Sequence, residues 1–261
     1  MSVSRRAFLR SSTAAATTAA AAALAVSPAL AGAALPSFPD LAGGGLAGPG
    51  NPAPGTARAA RTPREALQLL IDGNRRFLAD EPMPLPTDRR RRLAIAQAQS
   101  PFAAYISCSD SRVAPELLFG RGLGELFIIR NAGNTLDTVA RGSVEFAVAE
   151  LGVPLVVVMG HQRCGAVKAA CEVVEKNRRF PGNIGRMIEP IVPAVLRARG
   201  EPGDFVENSV RANVRRTVEE LRTASEPMLL DPQRTGKVMV VGAYYALDTG
   251  RVDFFDVPRA A

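Results

Sequence analysis

Short, nearly continuous apolar runs alternate along this chain with longer stretches in which apolar residues recur every three or four positions. The runs at 102–107, 125–129 and 155–159 read as strands, and the periodic stretches at 139–151 and 166–176 read as helices. Strand and helix in alternation predict an α/β fold with a mostly parallel central sheet and crossover helices. The run at 155–159 has no polar break, as expected of a strand covered on both faces. Further on, Val206, Val210, Val214, Val218 and Leu221 form a clean helical stripe, while Ile184, Met187, Ile188, Ile191 and Val195 form one interrupted by Pro190 and Pro193. The segments 237–246 and 251–255 flank Asp248-Thr249-Gly250 and predict a closing hairpin with its last strand at a sheet edge.

The part before the first strand is organised differently. Thr62-Pro63-Arg64-Glu65 supplies a capping residue, a proline at the first helical position and a glutamate at the third, so a helix begins there. Ala66, Leu70, Gly73 and Phe77 mark its buried face. A proline-broken loop and a short basic helix through Arg89–Arg92 follow, and that basic run is read as a solvated face. Residues 32–61 are rich in proline, glycine and alanine, with few large apolar side chains, and read as a flexible linker. Residues 1–31 carry Arg5-Arg6 with Phe8 and Leu9, an alanine-rich mildly apolar run and Ala29-Leu30-Ala31. This resembles a twin-arginine signal, which implies export of a folded protein to a periplasmic or other extracytoplasmic compartment. The catalytic domain is then 62–261, long enough for one real core.

Charge excludes little but narrows the partners. The formal net charge is +7, and removing residues 1–31 takes away three arginines and no acid, leaving +4. That is not the footprint of a nucleic-acid binder, and the mature chain offers no stable membrane span.

Chemistry enters where two apolar runs end. Cys108 follows the run at 102–107, and His161, the only histidine, follows the run at 155–159, with Cys164 beyond it after two intervening residues. In an open α/β sheet, reactive groups lie beyond the carboxyl ends of the strands. Two thiols and an imidazole form the ligand set of a zinc site with one position open. The competing reading is a Cys108–Cys164 disulfide, which an oxidising compartment permits, with Cys171 a small buried side chain. Three features favour metal. His161 and Cys164 can face one ion across a strand-to-helix turn, with Gly160 and Gly165 relieving the crowding. A thiol at a helix start also ionises easily. Finally, Cys108 has Asp110 and Arg112 beside it.

Cys108-Ser-Asp110-Ser-Arg112, Gly160-His161-Gln-Arg-Cys164-Gly165, Gly73-Asn74, Arg130-Asn-Ala-Gly133-Asn134 and Gln99-x-Pro101 together resemble the β class of carbonic anhydrases, over nearly all of residues 62–255. The resemblance implies zinc held by Cys108, His161 and Cys164, and reversible hydration of carbon dioxide to bicarbonate by zinc-bound hydroxide. It also implies a homodimer or homotetramer with active sites at subunit interfaces. Gln99 is expected in the substrate pocket, and Gly165 is expected to let the backbone approach the metal. Asp110 is expected either to orient the nucleophile or to bind the metal itself, with Arg112 holding it away by a bidentate pair. Because His161 is a ligand, no histidine remains as a proton shuttle. The alternatives are a carbon disulfide or carbonyl sulfide hydrolase on the same scaffold, or a non-catalytic zinc- or bicarbonate-binding module.

Overall fold

The computed structural model of the chain describes Ala60 and residues 62–258. The expected signal and all but the end of the expected linker lie outside the described residues. Ala60, at that end, is buried against the core.

The first helix, α1 (Pro63–Leu78), starts where its capping chemistry says it should. Thr62 Oγ1 accepts from the Glu65 N–H at 3.2 Å, and the Glu65 carboxylate accepts from the Thr62 N–H at 3.0 Å. After it come α2 (Arg89–Ile95), β1 (Ala103–Cys108), α3 (Pro115–Leu118), β2 (Leu126–Asn131), α4 (Thr138–Ala149), β3 (Leu155–His161) and α5 (Gly165–Lys176). Next are α6 (Gly182–Ile188), a 3-10 turn (Glu189–Ile191), α7 (Val192–Ala198), α8 (Phe205–Arg222), α9 (Pro227–Arg234), β4 (Met239–Tyr245) and β5 (Val252–Asp256).

The helices α3 and α9 are additions to the sequence reading. The stripe at 184–195 is also corrected: its prolines divide it, so Ile188, Ile191 and Val195 reach the core, whereas Ile184 is 51% and Met187 36% exposed.

The sheet has the order β2-β1-β3-β4-β5. Its first four strands are parallel, and β5 returns antiparallel beside β4 as the expected edge strand. β1 and β3 are each flanked on both sides and buried along their whole length, which is why their sequences read as unbroken apolar runs. Successive side chains point to opposite faces. Tyr105, Leu155, Val157 and Met159 pack toward α1 and α3 through Leu70, Leu118 and Phe119. Ala104, Ile106, Val156 and Val158 pack toward α4 and α8 through Val144, Val148, Val214, Val218 and Leu221. Among the described residues, no helix is long and apolar enough to cross a membrane.

The fold fixes the carboxyl edge of the sheet with little tolerance. Ser107 of β1 is registered against Met159 of β3, so the next residues of the two strands emerge side by side. At Gly160 a β-carbon would lie 2.6 Å from Val210 Cγ1 and 2.8 Å from Val214 Cγ2, so α8 can sit this close only over a glycine. Gly160→Ala should therefore destabilise the protein by about 1–3 kcal/mol through overpacking, read as a lower urea midpoint. Gly165→Ala meets nothing within 4 Å and should stay within about 0.5 kcal/mol of the parent.

Candidate metal centre

β1 ends in Cys108, β3 ends in His161, and Cys164 is the N-cap of α5; all three are buried. Their ligand atoms all lie within 4.8 Å of one another. The two sulfurs are 3.9 Å apart and the cysteines are free. Two Zn–S bonds of roughly 2.3 Å at a tetrahedral angle would place sulfurs about 3.8 Å apart, so the spacing fits a zinc ion. Cys171 stands apart from this group, with its thiol 3.5 Å from Ser209 Oγ.

The imidazole is oriented for the same purpose. His161 Nδ1 lies 3.0 Å from the Gln162 carbonyl, which can only accept, so the ring proton sits on Nδ1. That leaves a lone pair on Nε2, which is buried and has no hydrogen-bond partner. Such an atom costs about 1–3 kcal/mol unless something fills its valence, and a metal cation does so.

The thiols are tuned by what donates to them. The Cys108 thiol is held well below the usual thiol range, first because the Cys164 thiol donates to its sulfur; burial opposes this, and the backbone N–H groups of Gly133 and Asp110 assist it. The Gly133 N–H lies 3.4 Å from Cys108 Sγ. The Cys164 thiol is pushed up, first by its hydrogen bond with Cys108, then by burial and by the charge on that neighbour. The pair thus gives up one proton readily and holds the other until a cation displaces it.

Asp110 and Arg112 stand at the mouth of the centre. Arg112 Nε donates to Asp110 Oδ1 at 2.9 Å and Nη2 to Oδ2 at 2.8 Å, a bidentate pair, and the Arg112 backbone N–H adds a bond to Oδ1 at 3.0 Å. The Arg112 side chain chiefly holds the Asp110 carboxyl well below the usual carboxylate range. Oδ2 is nevertheless only 3.9 Å from His161 Nε2, beside the space that a metal would take. Arg130, quoted in the sequence without a role, clamps this loop by donating from Nε to the Cys108 carbonyl at 3.0 Å and from Nη2 to the Asp110 carbonyl at 2.7 Å. Its signal was its place at the end of β2, registered against Ser107.

Of the two expected pocket residues, Gly165 lies beside the centre and Gln99 lies away from the centre of its own chain. Gln99 is exposed and precedes the amino end of β1, whereas Cys108 closes its carboxyl end. The strand between them spans roughly 17 Å, so Gln99 does not line the centre of its own chain. Gly165 lies next to Cys164 as expected, and a β-carbon there would meet no other atom of this chain within 4 Å.

A family model described as carbonic anhydrase matches residues 103–252. A carbonic anhydrase of Mycolicibacterium smegmatis is 38% identical over 191 residues, covering 73% of this chain and 92% of the relative. Carbonic anhydrase 2 of Mycobacterium tuberculosis is 36% identical over 189 residues, covering 72% and 91%. Among solved structures, one of two β-carbonic anhydrases of Sordaria macrospora described as tetrameric aligns with a TM-score of 0.56 at 25% identity, covering 63% of this chain and 85% of that one. A β-carbonic anhydrase of Aspergillus fumigatus aligns with a TM-score of 0.56 at 26% identity, covering 64% and 81%.

The thiol pair makes its own prediction. With metal removed, ultraviolet thiolate absorbance at neutral pH should report about one ionised cysteine, because the hydrogen bond between the two thiols lowers the Cys108 pKa and raises that of Cys164. Cys108→Ser should abolish that signal. Two thiolates, or none, would contradict the coupling.

Proposed function

Because the chain belongs to the carbonic anhydrases, in their β class, we propose that it catalyses the reversible hydration of carbon dioxide to bicarbonate and a proton at a zinc ion held by Cys108, His161 and Cys164. The observation that carries this is the convergence of two thiols on a buried, unpartnered imidazole nitrogen, with an ionised carboxylate 3.9 Å from that nitrogen. Zinc held there supplies a Lewis acid that lowers the pKa of water, less strongly with two thiolates than with three neutral imidazoles, so that activity rises toward alkaline pH.

The chain's own groups do the positioning. Asp110 stays ionised across the working range and accepts a hydrogen bond from a water beside His161 Nε2, aiming its lone pair outward. Arg112 keeps both carboxylate oxygens engaged, which restrains Asp110 from becoming a ligand itself. Arg130 holds the loop that carries Asp110. The bond from Nδ1 to Gln162 leaves His161 with a single free nitrogen, and that nitrogen binds metal, so protons leave through water and dissolved buffer.

The functional unit is an assembly of copies, a homodimer or homotetramer. Gln99, remote from the centre of its own chain, serves the substrate pocket of a neighbouring copy. Apolar Leu117, Val139 and Phe146, all exposed on a single chain, support such an assembly. Export to a periplasmic or other extracytoplasmic compartment by the segment 1–31 completes this reading. Hydrolysis of sulfur-containing analogues and a purely binding role are not favoured, since the relatives are named carbonic anhydrases.

Stopped-flow hydration assays test these roles. Arg112→Ala should keep zinc yet lose about a hundredfold in kcat, because its carboxylate partner is no longer held in place. Full activity in that variant would remove Arg112 from the mechanism. In the parent enzyme, kcat should rise with buffer concentration, and a flat response across a wide range of imidazole would contradict proton exit to buffer.

A further inference from the structure

Two residues lie between the ligands His161 and Cys164, and neither is idle. The Gln162 backbone N–H donates to the Tyr245 carbonyl at 2.8 Å, extending the β3–β4 ladder by one bond. Its carbonyl accepts a hydrogen bond from His161 Nδ1. Its side chain reaches across to the connection between β4 and β5. There Oε1 accepts from the Leu247 N–H at 3.0 Å and the Asp248 N–H at 3.3 Å, while Nε2 donates to Asp248 Oδ2 at 2.8 Å. Two backbone donors on one side and a carboxylate on the other leave the amide only one orientation. Arg163, next in the chain, has φ of 55°, a left-handed conformation unfavourable for a side-chain-bearing residue, and its guanidinium lies 3.7 Å from the same Asp248 oxygen.

The far side of the same connection is held as firmly. Asn74 of α1 is buried; its Nδ2 donates to the Gly250 carbonyl at 3.0 Å, and its Oδ1 accepts from the Val252 N–H at 2.9 Å. The turn is thus gripped by one amide from α1 and one from the metal loop.

We infer that Gln162 is a positioning residue: its amide ties the backbone between two metal ligands to the β4–β5 turn, fixing the carbonyl that orients His161 and the left-handed residue that aims Cys164. The turn thereby governs how tightly a metal dication is held, although none of its side chains touches the centre. This rests on the ligand set proposed above. Without the bracket, Arg163 relaxes toward ordinary backbone angles, the imidazole loses its fixed tilt, and metal affinity falls. The Gln162 backbone bond to Tyr245 does not involve the side chain that Gln162→Met replaces.

The test is the rate at which the full zinc-loaded chain yields zinc to a chromogenic chelator, with the visible spectrum of the cobalt-substituted form as a second readout. Gln162→Met should release zinc about tenfold faster or more, the usual scale for losing a partner behind a metal ligand, and should shift the cobalt bands. Gln162→Glu should do the same or worse, since it sets two carboxylates against each other. Combining it with Asp248→Asn restores the side-chain bond with donor and acceptor exchanged and keeps both backbone N–H bonds to position 162, giving up only the 3.7 Å contact of Arg163 with Asp248, and this double variant should return to within about threefold of the parent. Parent-like zinc release and cobalt spectrum in Gln162→Met would overturn the inference, as would failure of the exchange to rescue Gln162→Glu. If Gln162→Met does not fold, comparing Gln162→Glu with the double variant decides the matter. A parent chain that takes up no zinc would overturn the ligand set itself along with this inference.

Discussion

The constraint on which the structure turns is a lone pair with nowhere to go. His161 Nε2 is buried at the carboxyl edge of an apolar sheet, its ring fixed by a bond on the other nitrogen, and two sulfurs converge on the same space. Unfilled polar valences inside a core are costly, and the cost grows as the surroundings become drier. The elements around this point all serve it. Register between β1 and β3 brings Cys108 beside His161, Gly160 admits α8 closely enough to seal one face, and α5 starts where its first backbone N–H groups meet Cys164.

Around that apolar, soft-donor centre the charged groups are kept on a short leash. Asp110 has a carboxylate oxygen 3.9 Å from His161 Nε2, near enough to compete for the metal, and it is restrained by Arg112 from outside and through its backbone by Arg130 from the neighbouring strand. The Arg112 bonds also keep it ionised, so one pair settles both where the charge points and whether it exists. Function here is a property of a loop held at several points by groups distant in sequence, on a fold that would support many chemistries.

Much of this was legible in the sequence for physical reasons. Strands buried on both faces must be apolar throughout, so β1 and β3 were plain, and their ends named Cys108 and His161. The capping box at Thr62 and Glu65 is local chemistry and located α1 to the residue. What escaped depended on information that local pattern does not carry. α3 is too short to show a period, and α9 contains Pro232. The exposure of Ile184 and Met187 follows from how prolines divided the segment, not from its composition. Gln99 was assigned to the centre by resemblance, and only the length of β1 shows that its own centre is out of reach. Arg130 and Gln162 act through contacts across 20 and 86 positions of sequence, which no spacing rule reveals.

The central claim is that these three donors bind the metal on which carbon dioxide hydration depends. The most direct measurement is stopped-flow hydration by the metal-free chain during stepwise addition of zinc, with Cys164→Ser titrated in parallel. Activity should rise linearly to a break at about one zinc per chain and stay at background throughout in the variant. Activity in the metal-free protein, or an unchanged titration in Cys164→Ser, would contradict it.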